Sequence, residues 1–297
     1  MNMPRFRIPI LAVGFALLAA SACETLQKGV GAIDAQSAKV QSVAKVAKQI
    51  RSTFADISEE EEYYIGRAVA ANILTRYDVY NNEGLNLYLN AVGAAVAAYS
   101  DRPETYAGYH VLVLDTDEVN ALAAPSGFIF LTRGLLKRCK DEDTLADILA
   151  HEIGHVCAKH GLQSIRKSRL TDAFKLLGEQ AAQKYGPQEL AQLTGVFENV
   201  LGDIAEKLIE RGYDRKYEYE ADELAAEFAA RMRYDGGGLL DFLGTMAKDS
   251  TGSSDKGWFK THPGPQDRIG RVKGQVKTFM REKVRTDRFR AAFRGLK

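Results

Sequence analysis

The sequence has little of what would staple a small scaffold or draw it to a polyanion. Among its 297 residues there are three cysteines, too few for a disulfide framework. The formal net charge is +1, which leaves neither a basic excess for nucleic acid nor an acidic tail. Beyond the N-terminal region no apolar run approaches the roughly 20 residues a membrane-spanning helix needs. No internal repeat is present. The length fits one large domain or two small ones. Histidine is scarce, at five, so any ordered pair of histidines carries weight.

What is there begins at the N-terminus. Arg5 and Arg7 precede an apolar run, Ile8 to Ala20, broken only by Pro9 and Gly14, and Ala20-Ser21-Ala22-Cys23 follows. A basic start, a short apolar core and a small-residue exit predict a secretory signal peptide over residues 1–22. An uncleaved anchor is the alternative, and the shortness of the run argues against it. The Cys after small residues resembles the bacterial lipobox, with Ala20 where Leu is more usual. Plain cleavage after Ala22 also fits, and either way the mature chain starts at Cys23. Acylation of Cys23 would hold the protein on a membrane. Glu24 after the cysteine, in the sorting rules this resembles, favours the outer membrane. The expectation is a periplasmic, lipid-anchored protein.

Residues 23–58 read as a polar, weakly amphipathic helix or stalk, and 59–297 as the main domain. Glu59-Glu60-Glu61-Glu62 opens a helix, since acids suit a helix N-terminus. A second helix covers Leu85 to Tyr99. Tyr109 to Asp115 and Gly127 to Thr132 are the strand candidates, with Pro125 and Ser126 as turn signals between them. Asp141-Glu142-Asp143 caps a helix running to about His160, and helical pieces fill Leu170 to Ile209. Further helices run from Tyr217 to Met232 and from about Pro265 to Arg294, separated by Gly236-Gly237-Gly238 and by a Gly/Ser loop over Ser250 to Gly257. The fold class expected is α+β, a small sheet beside a helical bundle.

The chemistry lies in His151-Glu152-Ile153-Gly154-His155, an H-E-x-x-H. Histidines four apart sit one above the other on a helix, about 40° from each other, so both imidazoles reach one metal. Glu152 projects beside them, placed to take a proton from a metal-activated water. Leu145, Ile148, Leu149 and Val156 give this helix an apolar side, which separates it from two solvent-exposed histidines on a surface helix. A catalytic zinc needs a third protein ligand. His160 falls off the spacing and reads as surface, and His110 lies in the strand region, as core or surface. Carboxylates remain. Glu218 and Asp222 share one face of a helix, so Glu218 can bind zinc while Asp222 accepts the free N–H of a bound histidine. Glu220 points away. An acidic solvent face is the alternative for this segment.

H-E-I-G-H followed about sixty residues later by Glu218-Tyr219-Glu220-Ala221-Asp222 resembles the signature of metallopeptidase family forty-eight, and in particular its periplasmic lipoprotein members. Asn120 to Gly127, with Ser126 in place of a Gly, Gly134-Leu135-Leu136, Thr261-His262-Pro263 and Arg268-Ile269 agree with it in order. The resemblance covers roughly residues 60–276. It implies a gluzincin-like fold, one Zn2+ per chain on His151, His155 and Glu218, and protein or peptide substrates. It also implies that Asn120, Phe128, Ile129 and Phe130 belong to an edge strand that borders the cleft and pairs with an extended substrate.

His262 is left with three roles. It can approach the metal and hold the enzyme latent, it can stabilise the tetrahedral intermediate, or it can serve a structural turn before Pro263. The function expected is a zinc endopeptidase of the bacterial envelope acting on extended or misfolded proteins, with Glu152 as the proton acceptor. The rival is an outer-membrane assembly factor or chaperone that uses the cleft with little turnover. Cys139 and Cys157 are separated by about 22 Å of helix and stay unpaired. The basic residues from Arg268 to Arg294 read as a solvated face, or more weakly as a lipid-facing one.

Overall fold

The computed structural model describes residues 57–163, 206–249, 258–262 and 264–296. The expected signal peptide, Cys23, the stalk, the helical pieces between 170 and 205 and the loop over 250–257 lie outside the described residues.

Two capped helices come first. In α1 (Glu59–Leu74) the Ser58 hydroxyl accepts from Glu61 N while Glu61 accepts from Ser58 N, a capping box that satisfies two otherwise orphaned donors. In α2 (Glu83–Ala98) Asn82 Oδ1 accepts from Leu85 N. Their apolar stripes, Ile65, Val69 and Ile73 on α1 and Leu85, Leu89, Val92 and Val96 on α2, are buried.

The sheet has three strands, β1 (His110–Leu114), β2 (Ala121–Ala124) and β3 (Phe128–Thr132), in the order β1-β3-β2. β1 runs parallel to β3, and β2 runs antiparallel to it. Two expectations are corrected here. The stretch between the candidate strands contains β2, and β3 is the centre of the sheet, so Phe128, Ile129 and Phe130 are on no edge. Ala-Leu-Ala-Ala has weak strand preference of its own and forms a strand because β3 pairs with it. The β2–β3 turn, Pro125–Gly127, places Ser126 at φ 62 and Gly127 at φ 94. Ser126 therefore occupies the left-handed region that the glycine of the resembled motif would adopt without cost.

After the one-turn helix α3 (Arg133–Leu136) comes α4 (Glu142–Cys157), the centre of the molecule. Asp141 Oδ1 caps it by accepting from Thr144 N. Every residue from Glu142 to Val156 is buried, because α2, β2, α6 (Arg215–Met232), α7 (Gly237–Asp249) and α10 (Lys283–Ala292) all pack on it. Leu145, Ile148, Leu149 and Ile153 are at most 1 % exposed. Burial of each contributes about 1.5–3 kcal/mol, and Leu149→Ala would cost about 2–5 kcal/mol. Gly154 allows the close approach of α6, since a Cβ there would lie 3.2 Å from Ala221 O. Gly238 is demanded more strictly. A Cβ would come within 2.8 Å of the Thr144 backbone, which accounts for the glycine at this position of α7.

The C-terminal region is not one helix. It comprises α8 (Trp258–Thr261), α9 (Pro265–Val272), an extended connection and α10, with α5 (His160–Gln163) and a π-helical turn (Glu206–Arg211) earlier in the chain. Nor are its arginines simply solvated. Arg281 pairs with Asp141, Asp235 and Asp241, Arg285 with Asp143, and Arg288 with Glu142. These ion pairs tie the end of the chain to the acidic start of α4. Cys139 and Cys157 are both free thiols.

Candidate metal centre

The centre is assembled from α4, α6 and the short helix α8. The C-terminal half of α4 brings His151 and His155 one turn apart, with their Nε2 atoms 3.1 Å from each other. α6 crosses α4 at Gly154 and delivers Glu218. Glu218 Oε1 lies 3.5 Å from His155 Nε2, and Oε2 lies 3.6 Å from His151 Nε2. One turn further along α6, Asp222 Oδ1 is 3.0 Å from His151 Nδ1. The end of α8 supplies His262, whose Nδ1 is 3.0 Å from Glu218 Oε2. The ligand atoms of His151, His155, Glu218 and His262 all lie within 4.8 Å of one another.

The spacing can be tested against a metal. Four ligands about 2.05 Å from zinc at tetrahedral angles are about 3.3 Å apart. The separations among His151, His155 and Glu218, from 3.1 to 3.6 Å, fit that figure. The donor set, two imidazoles and a carboxylate, is that of a catalytic zinc. Buried polar atoms point the same way. Glu218 Oε1 and both carboxylate oxygens of Glu152 have no hydrogen-bond partner among the described residues. Groups left in that condition are costly unless something else satisfies them.

Electrostatics sort the groups. Burial, then repulsion from His151, pushes the His155 pKa well down and favours its neutral imidazole, the form able to bind a metal. Burial and Arg268 also push His151 down, but hydrogen bonds to Asp222 and Glu218 outweigh them and raise it to about 9. Glu218 is pushed up by burial, yet His262 and Arg268 hold it well below the usual carboxylate range. Glu152 goes the other way. Burial raises its pKa, and His262 and His151 offset that only in part. A carboxylate with raised proton affinity is suited to take a proton at neutral pH.

The profile of Peptidase family M48 matches residues 83–276 and thus spans all of these groups.

The chain belongs to peptidase family M48.

Relatives fit this assignment. The chain is 26% identical over 215 residues to a putative beta-barrel assembly-enhancing protease of Vibrio cholerae, covering 71% of this chain and 43% of that protein. It is 24% identical over 225 residues to the beta-barrel assembly-enhancing protease of Escherichia coli, covering 74% and 45%. With metalloprotease YcaL of Escherichia coli it shares 27% identity over 161 residues, 54% of this chain and 59% of the relative. The aligned region spans less than half the length of the beta-barrel assembly-enhancing proteases.

Two residues of this M48 site were misjudged from sequence. His160 is not on the surface. It is fully buried, its Nδ1 lies 2.8 Å from His155 Nδ1, and its Nε2 lies 3.3 Å from Glu220 Oε2. Arg268 is not on a solvated face. It is fully buried, grips Asp222 and pairs with Glu218 through Nη1 at 2.9 Å. The conflict between three buried acids, Glu152, Glu218 and Asp222, and their low-dielectric surroundings was the available signal, since buried carboxylates need a cation close by.

The strand residues divide. Asn120, just before β2, is buried. Its Oδ1 accepts from Thr261 Oγ1, and its Nδ2 has no hydrogen-bond partner among the described residues. Ala121 O lies 3.2 Å from His262 Nε2, which puts β2 beside the centre. Ile129 and Phe130 are buried in the middle of the sheet, and Phe128 stacks between Tyr63 and His110. His110 is exposed and takes no part in the metal cluster.

Proposed function

We propose that the protein is a zinc-dependent endopeptidase of the bacterial envelope, acting on extended or misfolded proteins, with His151, His155 and Glu218 as ligands and Glu152 as the proton-transferring group. The observation that carries this is the convergence of three donors at zinc spacing beside a buried, unpartnered carboxylate. Zinc, when bound, polarises the scissile carbonyl and acidifies water to a pKa of about 7. Glu152 takes the proton of the attacking water and passes it to the leaving amine nitrogen. Asp222 keeps His151 in one tautomer by accepting from Nδ1, and Arg268 fixes Asp222.

The substrate backbone lies along the outer edge of β2. Support comes from elimination. β3 is paired on both sides, and the outer edge of β1 is occupied by Asn90, which bonds both Val111 N and Val111 O, and by Tyr80 N on Val113 O. Ladder alternation from the Asn120–Thr132 bond turns the backbone groups of Ala121 and Ala123 outward on β2. His262 bonds one of them, the Ala121 carbonyl. His151, Glu152, His155, Glu218 and His262 are each at most 3 % exposed, which supports a resting, closed arrangement with His262 as part of the latch.

Tethering through lipid on Cys23, with location at the outer membrane, rests on the order of residues 1–24. No helix among the described residues is long and apolar enough to cross a membrane. A second reading, an assembly factor that binds clients with little turnover, draws on the closed centre and on the names of the relatives. Casein digestion by the purified protein, with and without chelator and with Glu152→Gln, separates the two. Chelator-sensitive cleavage lost in the variant supports the peptidase. A biological effect that survives Glu152→Gln supports the assembly factor.

A further inference from the structure

The metal-facing histidines are each backed by a different device. Behind His151 stands a carboxylate, Asp222, held by Arg268. Among the described residues no carboxylate stands directly behind His155. Its Nδ1 faces Nδ1 of a second histidine, His160, at 2.8 Å, and the far nitrogen of His160 faces Glu220 Oε2 at 3.3 Å. His160 is fully buried and packs against the rings of Tyr213 and Tyr217, with centroids 5.8 and 4.4 Å away. Tyr213 also stacks on His155 at 4.6 Å, with 24° between the planes. Glu220 is about one-third exposed, so the chain of groups starts at the metal side and ends at solvent.

The tautomers follow from one requirement. A neutral imidazole that gives Nε2 to a metal carries its proton on Nδ1 and donates from there. His155 Nδ1 then donates, so His160 Nδ1 must accept. The proton of His160 sits on Nε2 and is directed at Glu220. Reversing either histidine would place two N–H groups, or two lone pairs, against each other at 2.8 Å in a buried site. The arrangement has one consistent polarity, from His155 through His160 to Glu220.

We propose that His160 and Glu220 form a positioning relay for His155, fixing its tautomer and ring orientation. This rests on the reading of His155 as a metal ligand. It accounts for a carboxylate, Glu220, on the α6 face that points away from the metal. It also accounts for a fully buried histidine five residues beyond the H-E-x-x-H pair.

The test is zinc affinity of the purified chain, by competition with a chromophoric chelator, together with the visible spectrum of the cobalt(II)-substituted protein. Partners of this kind typically change metal affinity by about 10- to 100-fold. His160→Phe keeps the ring and removes the acceptor, and is expected to weaken zinc binding by about that factor and alter the cobalt bands. His160→Gln, which can accept through its carbonyl, should recover part of the loss. Glu220→Ala should weaken zinc several-fold when His160 is present and have no effect in the His160→Phe background, because the groups act in series. A wild-type chain that takes no zinc defeats the metal reading itself. A wild-type chain that binds zinc while folded His160→Phe binds it within twofold overturns the relay. Should His160→Phe fail to fold, Glu220→Ala decides, and unchanged affinity in that variant overturns the relay.

Discussion

Arg268 grips Asp222 with Nε and Nη2, each 2.7 Å from a carboxylate oxygen, and neither residue is more than 1 % exposed. The same guanidinium reaches Glu218 with Nη1. One buried cation thus neutralises part of an acidic cluster that also contains Glu152. Removing one partner of a buried pair strands the other, at about 3–5 kcal/mol. Arg268→Met is expected to lower the stability of the chelator-treated protein by about that amount. Denaturant unfolding measures it, and a loss well under about 1 kcal/mol would show that Arg268 is dispensable to the site.

Glu152→Gln keeps the shape of the side chain and removes its proton affinity. Turnover of a fluorogenic casein is expected to fall by about 10²- to 10⁴-fold with zinc content unchanged. Loss of zinc along with turnover would make Glu152 a structural group.

His262 bonds Ala121 O on the outward edge of β2 and sits against Glu218. Its removal opens that edge. His262→Ala is expected to raise turnover per bound zinc several-fold, read from initial rates normalised to metal content. A fall would assign His262 to transition-state stabilisation, and no change in either quantity would leave it a turn residue.

The acidic start of α4 predicts a pH dependence. Burial pushes the Glu142 carboxyl up, but hydrogen bonds from Arg288, Tyr234 and Tyr88 outweigh it and set its pKa below the usual value. A depressed folded-state pKa contributes stability that is present above the unfolded value, about 4.3, and is lost as pH falls through the folded one. The stability contributed by Glu142 should therefore be lost on acidification below about pH 4.3, and Arg288→Gln should remove that part of the wild-type profile. Unfolding curves between about pH 3 and pH 6 test it. Parallel pH profiles for the two proteins would remove Glu142 from the account.

The juxtaposition of His151 and His155 was legible because helix geometry fixes the angle between residues four apart, whatever surrounds them. Glu218 and Asp222 were legible for the same reason, as one face of α6. Arg268 was not. A basic residue in a run of basic residues looks solvated, and its partner Asp222 lies 46 positions away. His160 was missed because it was weighed only as a zinc ligand, while its place is one bond further out, on His155. Strand β2 was hidden by composition, since four small apolar residues make a strand only through long-range pairing with β3. That pairing also turned β3 from an edge into the centre, a matter of strand order that periodicity does not encode.

The most direct test is the zinc content of the purified chain set beside that of Glu218→Ala, each measured by elemental analysis after equilibration with a modest excess of zinc and removal of the unbound ion. The account predicts close to one zinc per wild-type chain and a large deficit in the variant. A wild-type protein that retains no metal, or a folded Glu218→Ala that retains as much as wild type, would contradict it.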